Sequence, residues 1–151
     1  MSQPVGYNAC FSGRLSGLLQ WDQFEALWSS LAQSPDGWYV RDFKSAALPD
    51  APMPGDAFKN WLAETEKFLR KRHREEYCGF LYVNDRDDPV FIKVFDPRKM
   101  GSSCGCSGHI MPRWTISRMP PERTIDEMAE EVKKEAAKQS PSLLRRLFGR
   151  A

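Results

Sequence analysis

Apolar side chains first take on a helical rhythm at Leu18: Leu19, Phe24, Leu27, Trp28 and Leu31 fall close to i, i+4, i+7, i+8 spacing, which predicts an amphipathic helix. Asp22 is its expected N-cap, with Glu25 three residues on in a capping-box arrangement. Ser34-Pro35-Asp36-Gly37 carries strong turn chemistry and ends it. The rhythm then changes. Trp38 to Phe43 is rich in aromatic and β-branched residues and predicts a strand. Residues 1–17, punctuated by Gly and Ser, predict irregular chain or a short edge strand.

Ser45 to Gly55 contains three prolines and predicts a loop. Asp56 is then the expected cap of a second helix, on which Phe58, Trp61, Leu62, Phe68 and Leu69 draw an apolar stripe. Lys67, Arg70, Lys71, Arg72 and Arg74 gather at its C-terminal end, where the helix dipole favours cations. Tyr77–Val83 and Val90–Phe95 read as two strands, and the polar stretch Asn84 to Pro89 between them predicts a hairpin. Arg113 to Ser117 predicts one strand more. The expected fold is therefore α+β, with about two helices packed on a mainly antiparallel sheet of about four strands.

After Pro121 the pattern changes again. Thr124 and Glu127 form a Thr-x-x-Glu capping box that opens a charged helix running to about Gln139. Its apolar stripe is thin, and its Glu and Lys residues fall at i,i+3 and i,i+4 spacing, as on a solvated spacer. Ser140-Pro141 breaks it. The expected organisation is a core domain over residues 1–121 and a helical appendage over 122–151.

Composition narrows the function classes. A chain of 151 residues fits one domain with a sizeable core. A net charge of +2 is far from the strong basicity of a nucleic-acid-binding domain, so no nucleic acid is expected as partner. No basic segment followed by an apolar run opens the chain, and no stretch approaches the ~18 apolar residues that span a bilayer. The expected location is the cytoplasm, with peripheral attachment to a membrane as an option. Four cysteines are too few for a disulfide scaffold and should rest there as thiols.

The segment GSSCGCSGH, residues 101–109, places Cys104, Cys106 and His109 within six positions. These are ligands for zinc, iron or copper, and Cys78 or Cys10 could complete a tetrahedral set. Cys104 and Cys106 could equally close a disulfide as a redox pair. A third option is a cysteine nucleophile with His109 as base and Asp96 as the carboxylate that orients it. The Gly/Ser run could instead cradle a phosphate, or the segment could be a plain loop with one cysteine tucked inside as a small hydrophobe. No complete catalytic constellation can be assembled, so an enzyme is not the favoured expectation.

SLLRRLFGRA, residues 142–151, is the second informative stretch. Leu143, Leu144, Leu147 and Phe148 cluster on one face of a helix, with Arg145, Arg146 and Arg150 toward the other. Over these ten residues the chain resembles the C-terminal membrane-targeting helix of the MinD family of cell-division ATPases. No Walker motif is present, so the resemblance implies membrane targeting and nothing of the ATPase activity. Such a tail would bind a membrane surface weakly and reversibly, dock on a protein partner, or fold back on the core. The expectation is a small binding or accessory protein with a C-terminal docking helix; a thiol redox or metal-binding protein is the alternative.

Overall fold

The computed structural model describes residues 6–73, 75–100, 111–124 and 127–137, of Lys99 and Met100 the backbone alone. The chain divides into two compact units, Met1–Pro121 and Glu122–Ala151. In the first, the elements run α1 (Tyr7–Phe11), β1 (Ser16–Gln20), α2 (Trp21–Gln33), β2 (Tyr39–Asp42), α3 (Gly55–Arg72), β3 (Tyr77–Val83), β4 (Phe91–Val94), α4 (Pro97–Met100) and β5 (Trp114–Ser117).

The strands form a single antiparallel sheet in the order β1-β3-β4-β5-β2. The α+β class and the antiparallel sheet are as expected; the described residues of the first unit carry five strands and four helices rather than about four and two. The additions are α1 and β1 in the N-terminal stretch and the single turn α4 after β4. Leu18 and Leu19, expected to open a helix, lie in β1, because Leu18 pairs with Leu81 across the sheet and is 2% exposed. Leu19, expected on the apolar stripe, points outward and is 61% exposed.

Helix α2 starts at Trp21. Its cap is Gln20, whose side chain takes part in a reciprocal box with Gln23. Asp22 and Glu25 were expected to form that box; Asp22 sits instead in the first turn, where its charge still suits the dipole. Similarly Pro54, not Asp56, occupies the cap position of α3, and Gly55 begins the helix. A side chain at Gly55 would come within 2.5 Å of Asp36 Oδ1, so the glycine lets that carboxylate approach the start of α3.

Phase alternation along the strands sorts the side chains into two cores. Leu81, Val83, Ile92, Val94, Trp114 and Ile116 meet α2 and α3 on one face. On the other, Phe91 meets Tyr7 and Cys10 of α1, and the Tyr7 hydroxyl bonds to Thr115 Oγ1 at 2.6 Å. Strand β3 gives more to the main core than simple alternation allows, since Cys78, Phe80, Leu81 and Val83 are all buried there. A bulge explains this. Gly79 has φ +83°, and the β1–β3 register shifts between Leu18 and Gln20, so β3 changes phase between Phe80 and Leu81.

Strand β1 lies at the edge of the sheet. The Leu19 amide donates to Gln23 Oε1 (3.1 Å), and the Gly17 carbonyl accepts from Arg86 Nη2 (3.0 Å). The second unit is helical over residues 127–137. The Thr124 amide donates to Glu127 Oε1 and the Glu127 amide to Thr124 Oγ1, which is the capping box expected there. Met128 and Val132, one turn apart, are exposed. Among the described residues, no helix is long and apolar enough to cross a membrane.

Candidate functional site

The antiparallel pairing gives the sheet two distinct ends. Strand β3 ends, and β4 begins, at the end that also holds the start of β2 and the end of β5. Two turns are built there by side-chain hydrogen bonds. In the β3–β4 connection, Asn84 Oδ1 accepts from the Val90 and Phe91 amides (2.9 and 3.0 Å), and Asp85 Oδ1 accepts from the Asp87 amide (2.9 Å). These are the local bonds for which turns select Asn and Asp. After α2, Gly37 at φ +86° turns the chain into β2, and Trp38 Nε1 donates to the Ser34 carbonyl (2.9 Å).

Between α2 and these turns lies a groove of 390 Å³, toward the lower part of the ~300–1,000 Å³ range of ligand sites. Leu18, Leu27, Leu31, Trp38 and Val83 form an apolar floor, each at most 6% exposed. Arg86, Asp87, Asp88 and Arg118 stand around the mouth, with Ala26 and Ser30 of α2 exposed on its other side. The two arginines are tied to the fold. Arg86 holds the Gly17 carbonyl, while Arg118 lies over the Trp38 ring at 3.9 Å and donates to the Asp36 carbonyl. Asp87 and Asp88 have no ion pair among the described residues. An apolar side chain can seat on the floor while polar neighbours meet the charged mouth.

The other end of the sheet carries the residues from which the cysteine segment departs and to which it returns. Asp96, expected as an orienting carboxylate for His109, is bonded elsewhere: both its oxygens accept from Arg72 Nη1 (3.3 and 3.2 Å). It also caps α4 by accepting from the Arg98 amide at 3.1 Å. Arg113 donates through Nε and Nη2 to the two oxygens of Asp42 (3.0 and 3.2 Å) and lies 4.4 Å over Trp114. Burial pushes the Asp42 carboxyl up, but Arg113 and the Lys44 amide more than reverse this and hold it below its usual value.

Cys104, Cys106 and His109 lie outside the described residues, as do Leu143, Leu144, Arg145, Arg146, Leu147 and Phe148 of the tail. Cys78, expected as a further ligand, is 1% exposed in the main core, and burial raises its thiol pKa. Cys10 belongs to the α1 core and is likewise raised by burial. Neither has the electropositive, open setting of a reactive thiol. Among the described residues, no three His, Cys, Asp or Glu side chains gather where they could hold a metal ion.

The basic run at the end of α3 is largely compensated. Arg70 pairs with Glu66 (2.8 Å) and Glu25 (3.4 Å), and Lys67 lies 3.9 Å from Glu64. His73 is half-buried against Trp21 and Phe80, and its Nε2 donates to the Tyr77 carbonyl at 2.7 Å.

The groove is the site that sequence reasoning missed. Its floor draws on β1, α2, β3 and Trp38, positions 18 to 83, and no local spacing connects them. The only signal was the acidic β3–β4 turn, read simply as a polar connection. No family model matches the chain, and neither a curated protein nor a solved structure does.

Proposed function

We propose that the chain is a small binding or accessory protein for a protein partner, with the groove of its α+β core as the recognition surface and residues 140–151 as a second attachment. The groove carries this reading. Its floor is apolar and its mouth presents both signs of charge, which suits an apolar side chain flanked by charged residues. A nucleic-acid backbone would be opposed by Asp87 and Asp88, and the basic run of α3 is engaged with carboxylates.

The test compares cross-linked capture from source cells by the full chain, by Ala26→Arg and by a chain lacking residues 140–151. Ala26 is exposed on α2 at the mouth, so the arginine obstructs the groove without touching the core. The expected result is a partner whose recovery falls by about tenfold or more in both variants, as loss at the centre of an interface does. Both variants should keep the melting temperature of the core. Identical protein sets from all three chains would overturn the reading.

A further inference from the structure

We infer that the helix of the second unit, residues 127–137, pairs in antiparallel sense with the same helix of a second copy of this chain. The inference is independent of the groove.

Two features of the helix point to that occupant. The first is an apolar stripe left open to water. Met128, Val132 and Ala136 follow one another at four-residue spacing and so share a face. All three are exposed, Met128 at 44% and Val132 at 68%. Their sizes run from large to small along the helix. Two such stripes in parallel sense would set methionine on methionine and alanine on alanine. In antiparallel sense Met128 faces Ala136 of the second copy, and Val132 meets its own counterpart on the two-fold axis. Large then meets small, as a packed seam requires.

The second feature is the order of charge. Residues 127–132 carry Glu127, Glu130 and Glu131 and no basic side chain, whereas residues 133–137 carry Lys133 and Lys134 against Glu135. The helix dipole favours acid in a first turn and base in a last one, but Glu131 and Lys133 lie in the middle turn, beyond its reach. Antiparallel pairing about Val132 sets the acidic half of each helix beside the basic half of the other, with Glu131 near Lys134 of the second copy. Parallel pairing would set like charge on like. Within one chain, Glu130 lies 4.0 Å from Lys133 and Glu131 accepts from Arg123, while Lys134 is exposed and has no ion pair among the described residues. The same surface serves both copies, so the association closes at a dimer.

The experiment uses the full chain with p-benzoylphenylalanine in place of Met128, as an equal mixture of isotopically heavy and light copies. Irradiation should give heavy–light cross-links that map to residues 133–137. Lys134→Glu should lower their yield about fivefold, and combining it with Glu131→Lys should restore the yield, because the swap re-forms the two symmetric pairs. Raised ionic strength should shrink that difference. Val132→Lys, which sets two like charges on the axis, should abolish the links. Each substituted position is exposed, and unchanged circular dichroism spectra would confirm that the variants fold. Links confined to one copy, links to residue 128 of the second copy, links to residues 1–121, or yields unmoved by Lys134→Glu would each overturn the inference.

Discussion

The two ends of the sheet handle charge in opposite ways. Where α3 finishes, Arg72 and Arg113 each meet a carboxylate, Asp96 and Asp42, and each also lies over an aromatic ring, Phe68 or Trp114. At the groove end, Arg86 and Arg118 donate to main-chain carbonyls and meet no carboxylate among the described residues. Arg118 also lies over a ring, Trp38, and the nearby aspartates are exposed. The first arrangement binds α3, β4, β5 and β2 together. The second leaves charge at the mouth of an apolar depression, where a partner can use it. The difference separates an end whose charges are paired within the fold from one whose charges face water.

Breaking Asp96 should have the largest effect. It is 5% exposed, and Asp96→Ala would leave the Arg72 guanidinium without its carboxylate and α4 without its cap. The expected cost is about 2–4 kcal/mol by urea unfolding. A loss below about 1 kcal/mol would mean that water already screens the pair and that the two ends do not differ in this respect.

Asp42→Asn sharpens the comparison through pH. The Asp42 carboxyl titrates lower in the folded chain than in the unfolded one. Its stabilising contribution is therefore fully present above the unfolded-state value and is lost as pH falls through the folded one. The stability gap between wild type and variant should be steady near neutrality, about 1 kcal/mol or less for so open a pair, and should close in acid. A gap that widened as pH fell would reverse the assignment. At the groove end, Asp87→Asn with Asp88→Asn should alter stability by no more than about 0.5 kcal/mol, since neither carboxylate supports the fold. A larger loss would show that they are structural after all.

Strand β3 was legible in the sequence to the residue, and β4, β5 and α3 nearly so. Their apolar residues are dense, and clear turn or cap chemistry bounds them. Strand β1 was not legible. Its two leucines run straight into the stripe of α2, and the partner that makes them a strand lies some sixty positions away, at Leu81. Tertiary pairing overrode a local helical pattern there. The cap of α2 was misplaced for a related reason. Asp is the stronger capping type, yet the strand fixes where the helix can begin, and Gln20 stands at that corner. The groove depends on five side chains that only the finished fold assembles, so periodicity carried no trace of it.

One consequence follows from the outer margin of β1. A sheet that ends in an open strand offers a template on which another chain can build, and fibrils grow by that route. Here the side chain of Gln23 covers the amide of Leu19, and that of Arg86 covers the carbonyl of Gly17. An incoming strand would have to displace both before it could form its first ladder bonds. Growth by templating from this margin is thereby checked.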